Sequence, residues 1–340
     1  MTTKKILFIL KKRIIYGDDT YTTLNSGLFN SATFVNKMLN DNNVESNLVE
    51  VIDNNQIDKF VTQYRPDVVI IEALWVTPSK FDELIKRHPK VKWVIRIHSE
   101  IPFIANEGIA LEWILKYIKY DNVIVSANSK YFIESIEPLI NKKLLYLPNY
   151  YPINESIEYV TVKTNYDEIN IGLFGAIRPM KNALTQAIGA IIYANENNKI
   201  LNLHINTERV EQKGENTLKN IRALFENSKH NLVEHKWLKH DEFLKLISSM
   251  DIGLQVSLTE TYNIVAADFI SQNIPILSSK EIVFVNFLSR INKNKNAKLI
   301  ADKIKSTLNL KQPLTFLNRI LLKINASASR RVWLEFAKNN

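Results

Sequence analysis

The chain has 340 residues, 46% hydrophobic and 23% charged, a globular composition at a length that suggests two domains. It contains no cysteine, which excludes disulfides, thiolate metal sites and a cysteine nucleophile. The formal charge of +9 favours polyanionic neighbours such as nucleic acid, anionic lipid or a phosphorylated donor, although basic residues spread along the chain fit a solvated basic surface equally well.

The first half of the chain alternates short apolar runs with amphipathic segments. Its N-terminal stretch, residues 4–13, reads KKILFILKKR, an apolar run too short for a signal peptide. The predicted strands are 6–10, 44–51, 67–71, 93–98, 122–126 and 144–147, and the predicted helices are 28–39, 57–64, 80–86, 107–117 and 130–137. Two prolines and a polar run to residue 168 then predict a linker.

The second half repeats the alternation. The predicted strands are 169–174, 201–205, 232–235, 252–256 and 275–277, and the predicted helices are 183–195, 215–225, 241–249 and 264–271. After residue 294 the pattern predicts helix to the end of the chain. Trp333 and Phe336 are expected to anchor the last helix on a domain surface.

This order of elements predicts an α/β protein with two doubly wound parallel-sheet domains. The predicted domains are 1–152 and 165–321, with a last helix, about 322–340, packing on the first domain. No apolar run is long enough to span a bilayer, so we expect a cytoplasmic protein. Doubly wound sheets bind ligands at the carboxyl ends of their strands, and functional residues are therefore expected in the loops that follow strands.

The most informative segment is residues 260–277, which read ETYNIVAADFISQNIPIL. A predicted strand ends just before Glu260 and a helix is predicted to begin near Asn263, so the N–H groups and dipole of that helix form an anion site. Asp268 lies about two helical turns beyond Glu260, which can bring both carboxylates to one ligand. Carboxylates suit sugar and ribose hydroxyls, and the helix start suits a diphosphate.

This segment resembles the donor-binding signature of retaining glycosyltransferases of family 4. The resemblance implies the GT-B fold, in which two Rossmann-like domains face each other across a cleft, with a UDP- or GDP-sugar as donor and no cofactor. It assigns Glu260 to the donor sugar and Asp268 to the ribose. The backbone amides of Asn263, Ile264 and Val265 would hold the phosphates. Asp268 and Asn263 depart from the glutamate and glycine usual in the family.

A second match follows the first strand of the predicted second domain, where residues 174–182 read FGAIRPMKN. This loop is similar to a glycine, arginine and lysine loop of the family. There, a glycine lets the backbone approach the donor and two cations neutralise the pyrophosphate. Gly175 and Lys181 fall in register, but Ala176 replaces the arginine, and Arg178 is expected to supply its charge. A plain strand-to-helix turn with exposed cations is the alternative.

The predicted first domain offers four candidates. His98 directly follows a predicted central strand, where the resemblance implies a histidine that hydrogen-bonds the sugar or the transferred oxygen; a structural histidine is the alternative. Arg96 is predicted to be a cleft residue or part of a surface ion pair. The loop 16–31 resembles the family's acceptor-side loop, with Gly27 opening the first helix. Trp75 is either an acceptor platform or a core aromatic.

Several other classes are disfavoured. No GxGxxG motif follows a strand and no P-loop occurs, which argues against dinucleotide oxidoreductases and P-loop enzymes. There is no Asp-x-Asp pair and the histidines lack metal-ligand spacing, so no metal is expected. Lys181, Arg178 and the helix dipole are expected to take on the diphosphate charge instead.

The sequence thus predicts a metal-independent glycosyltransferase that moves a sugar from a nucleotide-diphosphate sugar to a hydroxyl acceptor, and the resemblance to family 4 implies that the anomeric configuration is retained. Segments at 25–32, 72–75 and 101–108 resemble phage-encoded glycosyltransferases, which implies a hydroxylated base of viral DNA as acceptor. A surface or lipid-linked saccharide is the alternative acceptor. A nucleotide-sugar epimerase and a degenerate binding module remain alternative functions, and the oligomeric state is left open.

Overall fold

The computed structural model describes residues 4–12, 14–16, 21–23, 27–153, 165–293 and 296–339. The chain divides into two compact units, one formed by Met1–Pro152 with Ala326–Asn340 and the other by Ile153–Asn325. Arg13, most of the predicted acceptor-side loop before Gly27 and most of the predicted linker lie outside the described residues.

The first unit is built on a parallel sheet. Its strands are β1 (Ile6–Lys11), β2 (Ile14–Tyr16), β3 (Tyr21–Thr23), β4 (Ser46–Val51), β5 (Val68–Glu72), β6 (Lys92–Ile97), β7 (Val123–Ala127) and β8 (Leu145–Tyr146). Its helices are α1 (Gly27–Asn40), α2 (Ile57–Tyr64), α3 (Lys80–Arg87), α4 (Ile101–Ile104), α5 (Ala110–Tyr117) and α6 (Lys130–Ile140). The sheet order is β4-β1-β5-β6-β7-β8, and β2 and β3 form a separate antiparallel hairpin.

Burial explains why these strands form the centre of the first unit. All five residues of β5 are buried, as are five of the six in β1, which is typical of strands covered by helices on both faces. The helices α2, α3, α5 and α6 bury side chains in a common core. One example from each, in that order, is Val61, Phe81, Ile114 and Phe132. In the sheet, β4 lies on one side of β1, and the later strands, beginning with β5, lie on its other side. The direction in which strands are added therefore reverses between β1 and β5, which is the topological switch point.

The second unit repeats this plan. Its strands are β9 (Glu168–Leu173), β10 (Ile200–Asn206), β11 (Asn231–His235), β12 (Ile252–Gln255), β13 (Ile276–Ser279) and β14 (Arg290–Ile291). Its helices are α7 (Ala183–Glu196), α8 (Gly214–Phe225), α9 (His240–Ile247), α10 (Ile264–Ser271), α11 (Ala297–Asn309) and the first part of α12 (Lys311–Asn339). The parallel sheet has the order β11-β10-β9-β12-β13-β14, which places the switch point between β9 and β12.

Helix α10 packs unusually close to the second sheet. The ring of Phe269 lies against Gly253 of β12, where an added Cβ would stand 2.6 Å from the ring. A side chain at Gly253 would therefore push α10 away from the strand. Since α10 follows β12 in the chain, this contact fixes where the amino end of the helix lies relative to the strand ends.

The last helix ends in the first unit. From Ala326 onward α12 belongs to that unit, and Trp333 and Phe336 are buried in its core. The Trp333 ring lies 5.8 Å from that of Phe8 in β1, and its Nε1 donates to the Pro148 carbonyl at 2.8 Å. Burial of two large aromatic rings accounts for the attachment of this helix.

The predicted α/β class with two doubly wound sheets is confirmed, and the predicted strands differ from the observed ones by at most two residues at either end. The short elements were missed. Strands β2 and β3 were predicted as loop, and α4 precedes a helix predicted to begin at 107 that starts at 110. Elements of three or four residues contain too few positions for a periodic pattern. None of the described helices is both long and apolar enough to cross a membrane.

Candidate functional site

In the second unit, the loops that follow β9 and β12 meet at the switch point. The backbone N–H of Leu258 donates to the Met180 carbonyl at 2.9 Å, and Asn182 Nδ2 donates to the Val256 carbonyl at 3.1 Å. Gln186 of α7 accepts from the Val256 N–H at 2.7 Å. These bonds bring together the two segments for which sequence analysis predicts donor binding.

The loop after β9 begins with a residue that must be glycine. Gly175 has a φ of +115°, and a Cβ there would meet no atom within 4 Å, so the backbone conformation and not lack of space requires glycine. Its N–H donates to Asn206 Oδ1 at 3.2 Å. Ala176, which stands where the family has arginine, is buried. Arg178 lies beyond it, with its Nη1 3.6 Å from Glu211 Oε2.

Lys181 and Glu260 form an ion pair across the two loops. The Lys181 Nζ lies 2.5 Å from Glu260 Oε2, and both side chains are mostly buried. Burial lowers the pKa of Lys181; Glu260 opposes this effect, and the charges of Arg178 and Arg209 lower the pKa further. Lys181 thus lies near two other cations, and Glu260 partly offsets their effect on its pKa.

Asn263 caps the helix that follows. Its Oδ1 accepts from the Ala266 N–H at 2.9 Å, while its Nδ2 donates to Glu260 Oε2 at 3.2 Å and to Gln255 Oε1 at 2.8 Å. Within the described residues, the N–H groups of Ile264 and Val265 have no hydrogen-bond acceptor. The amino end of α10 therefore presents two donors and a positive dipole beside the Glu260 carboxylate.

Sequence analysis missed one cation of this cluster. Arg209, in the loop after β10, lies close enough to lower the pKa of Lys181. Its Nε is 2.8 Å from Glu211 Oε1, and its guanidinium carbon lies 5.4 Å from the Trp237 ring centroid. The only sequence feature that points to a site role for Arg209 is its position after a predicted strand, which it shares with many residues. No known motif includes Arg209 and its neighbours Glu208 and Glu211.

A second missed residue contacts Asp268. The His240 Nε2 lies 2.7 Å from Asp268 Oδ1, and Asp268 is almost completely buried. Burial disfavours the charged imidazole, but the hydrogen bond and charge of Asp268 outweigh it, so the pKa of His240 is raised. Asp268 is therefore engaged with a histidine, and its predicted contact with a ribose would be made alongside that bond.

In the first unit, the strand ends carry a buried polar network. Glu72 ends β5 and Arg96 lies in β6; both side chains are fully buried. Arg96 Nη1 donates to the two Glu72 oxygens at 3.0 and 3.2 Å. Its other N–H groups donate to the carbonyls of Leu147 and Pro148 and to Asn149 Oδ1. All five guanidinium donors are thus occupied.

His98 lies at the accessible end of this network. Its Nε2 contacts Glu72 Oε2, and its Nδ1 is 3.3 Å from Asn128 Nδ2. Burial and the charge of Arg96 lower the pKa of His98, despite Glu72. With these partners we assign a neutral imidazole that carries its proton on Nε2. Nε2 then donates to Glu72, and Nδ1 accepts from Asn128. Arg96 and His98 together hold the pKa of Glu72 below its usual value, although burial acts against them.

The other first-unit candidates have mixed outcomes. Arg96 is 0% exposed and its donors are all used inside the unit, so the ion pair that it forms with Glu72 is buried and is not the surface pair that was one of the two expectations. Trp75 is partly buried against the core and donates from Nε1 to the Glu72 carbonyl at 2.9 Å, as expected of a core aromatic. Gly27 is the first residue of α1.

The two clusters differ in chemical capacity. The second-unit cluster presents three cations against two carboxylates at a helix start, an arrangement suited to a diphosphate. The first-unit cluster is internally neutralised and presents a neutral imidazole. The described residues contain no group of three or more histidine, aspartate or glutamate side chains arranged to hold a metal ion.

Comparison with solved structures identifies the fold class. A UDP-forming α,α-trehalose-phosphate synthase from Burkholderia xenovorans matches with a TM-score of 0.62 over 98% of this chain and 99% of that chain. An E. coli trehalose-6-phosphate structure bound with UDP-2-fluoro glucose matches with a TM-score of 0.67 over 99% of both chains. An α-glucosyltransferase in complex with UDP-glucose and DNA containing an abasic site matches at 0.61 over 94% and 95%.

All three matches have 11% sequence identity to this chain, a level at which the similarity establishes the fold. The chain therefore has the fold of GT-B glycosyltransferases, as the sequence predicts. No protein-family model matches the chain, and no curated protein matches it by sequence.

Proposed function

We propose that this protein is a glycosyltransferase that takes its sugar from a nucleotide-diphosphate sugar. The observation that carries the proposal is the Lys181–Glu260 pair beside the amino end of α10, with Arg178 and Arg209 nearby. The loops after β9 and β12 supply Arg178, Lys181 and Glu260 at a topological switch point, where doubly wound sheets bind ligands. The loop after β10 adds Arg209.

Each group has a defined role in this proposal. Without donor, Glu260 neutralises Lys181; a bound diphosphate takes over that role and leaves the Glu260 carboxylate to accept from sugar hydroxyls. The amides of Ile264 and Val265 donate to phosphate oxygens. As the bond from the sugar to the diphosphate breaks, Lys181, Arg178 and Arg209 stabilise the charge that develops on the leaving group. We propose that this chemistry is independent of metal and retains the anomeric configuration.

The proposed donor is a UDP-sugar. Two of the similar structures contain UDP-glucose or its 2-fluoro analogue, and the three-cation cluster suits any nucleoside diphosphate. The second unit would hold this donor and the first unit the acceptor. In the first unit, His98 would then present its partly exposed ring to the acceptor or the sugar, with Glu72 fixing its tautomer.

Two acceptor classes follow from different observations. One similar structure is an α-glucosyltransferase in complex with DNA, which supports a hydroxylated base of phage DNA as acceptor. The net charge of +9 is compatible with a polyanion. The alternative is a surface or lipid-linked saccharide, which a membrane-binding surface would favour.

The test combines binding with turnover. A thermal-shift screen of UDP- and GDP-sugars should raise the Tm for one donor, and Lys181→Ala should abolish that shift. The selected donor is then incubated with hydroxymethylated duplex DNA, with lipid-linked saccharides, and alone. Transfer to either acceptor supports the proposal and identifies the acceptor class, whereas an isomerised sugar from donor alone would show an epimerase. A protein that no nucleotide sugar stabilises would contradict the proposal.

A further inference from the structure

The positive charge of the chain is concentrated in its C-terminal segment. The individual basic residues are spread along the sequence, but their excess over acidic residues is not. Residues 280–340 contain 13 lysine and arginine residues and three acidic ones, whereas residues 1–279 contain 31 and 32. The last 61 residues therefore carry the whole net charge of the protein.

The same segment exposes large apolar side chains. Between residues 283 and 324, eight of them are at least one-third exposed: Val283, Phe287, Leu288, Leu310, Phe316, Leu317, Ile320 and Ile324. On α12, Phe316, Ile320 and Ile324 repeat every four residues and so lie on one side of the helix, which we call the apolar face of α12. Lys323 is exposed on the same side.

Hydrogen bonds hold the elements of this segment together. The Asn286 N–H, at the start of the short 3₁₀ turn Phe287–Ser289, donates to Asn318 Oδ1 of α12 at 2.6 Å. Lys303 of α11 reaches the Leu288 carbonyl at 3.4 Å. The exposed rings of Phe287 and Phe316 therefore belong to one connected part of the second unit.

Exposed apolar groups and excess positive charge together indicate the kind of partner. Nucleic acid would engage the lysines through its phosphates but gain little from exposed leucine and isoleucine. An acidic protein would need its own apolar patch in register. An anionic bilayer satisfies both features, because its head groups attract lysine and its acyl boundary accepts phenylalanine, leucine and isoleucine.

From this complementarity we infer that the α11–α12 region is a docking surface for an anionic lipid membrane. The apolar face of α12 enters the head-group boundary, and Lys323, Lys303 beside Leu288 and the neighbouring exposed lysines contact the lipid charges. Binding is peripheral and reversible. It needs no donor or acceptor, so the inference is independent of the proposed reaction, but a membrane-bound enzyme would favour a lipid-linked acceptor over DNA.

The first experiment is vesicle co-sedimentation of the full chain. Binding is expected to phosphatidylcholine vesicles that contain about 30% phosphatidylglycerol and to weaken steeply with salt, while pure phosphatidylcholine should bind at least tenfold less. Lack of binding to the anionic vesicles would overturn the inference.

Matched variants then locate the surface. Lys303→Glu with Lys323→Glu should reduce anionic-vesicle partitioning by about 25-fold or more. Lys86→Glu with Lys90→Glu, which changes the net charge equally in the first unit, should reduce it only slightly. Phe316→Ser with Ile324→Ser should cost about tenfold or more, whereas Tyr131→Ser with Leu139→Ser, exposed apolar residues of α6, should have little effect.

Two further measurements test the competing occupants. If the lysine variants lose duplex-DNA binding but keep vesicle binding, the region is a nucleic-acid surface and the inference is wrong. If the apolar variants convert a dimer to a monomer in size-exclusion chromatography and leave vesicle binding unchanged, the apolar face is a subunit interface. Unchanged thermal unfolding of each variant shows that the loss is not one of folding.

Discussion

The two units place polar clusters at equivalent positions, the carboxyl ends of a six-stranded parallel sheet, but treat charge in opposite ways. In the first unit, Glu72 and Arg96 are both fully buried, and each satisfies the other. In the second unit, Lys181 and Glu260 remain partly accessible, and Arg178 and Arg209 add charge that the two local glutamates do not cancel.

This difference shows why fold alone does not indicate a binding site. A closed network such as the first has no donor left for a ligand, so it rigidifies the strand ends and positions His98. An open cluster with excess positive charge and unused backbone donors is poised for an anion. The predictions below separate a structural role in the first unit from a binding role in the second.

The largest effect is expected on folding. Glu72→Ala leaves the Arg96 guanidinium buried without its counter-ion, which should destabilise the first unit by about 4 kcal/mol and lower Tm by about 10 °C. Thermal and urea unfolding measure this. Glu112→Ala, which removes an exposed carboxylate of the same unit, serves as control and should change Tm by about 1 °C or less. A comparable loss in both variants would remove the distinction between the two clusters.

The next effect is on the proposed reaction, through the cluster in the second unit. Lys181→Ala should lower kcat by about 100-fold, equivalent to about 3 kcal/mol of lost leaving-group stabilisation. It should lower Tm less than Glu72→Ala does, because Asn263 and Ser257 still donate to Glu260. Steady-state kinetics with the selected donor provide the measurement. Lys245→Ala removes an exposed lysine of α9 and should retain full activity. Wild-type kcat in Lys181→Ala would show that the open cluster is not the donor site.

A smaller effect distinguishes the two arginines. Arg178→Ala and Arg209→Ala should each lower kcat or raise the donor KM about tenfold, because both charges lie near Lys181. A larger effect of Arg209→Ala would show that Arg209, rather than Arg178, replaces the arginine that the family has at the position of Ala176. If neither variant differs from wild type, Lys181 acts without them.

The smallest effect is a pH dependence of stability. The pKa of His240 is raised in the folded state, so its pairing with Asp268 stabilises the protein fully below the unfolded value near 6.5 and is lost as pH rises through the folded value. His240→Ala should therefore cost about 1 kcal/mol more at a pH of about 5.5 than at about 8.5. Urea unfolding at the two values is the measurement, and an equal loss at both would contradict this pairing.

Much of the second-unit site was predictable because its residues lie in contiguous segments. One segment, Glu260 to Asp268, follows β12, and the other, Gly175 to Lys181, follows β9. The carboxyl ends of the strands of a parallel sheet lie along one edge, so the two segments were expected to lie close together. Arg209 and His240 were missed because each contributes a single side chain, Arg209 from the loop after β10 and His240 from the start of α9, and neither segment has a motif of its own.

The first unit shows the limit of such reasoning more clearly. The position of His98 at the end of a strand was predictable from the sequence, whereas the burial of Arg96 was not. An arginine two residues before that histidine is equally compatible with an exposed and a buried side chain. Its partners Glu72, Leu147, Pro148 and Asn149 come from two other parts of the chain. Only their approach in three dimensions decides whether a charge is neutralised or available.

The sequence by itself determined the alternation of strands and helices, the two sheets and the concentration of net charge near the C-terminus, because each is a property of local pattern or of composition. The tertiary structure alone decided which charges are paired. Pairing depends on distances between segments that are remote in the chain, because the interaction of two charges weakens as the distance between them grows.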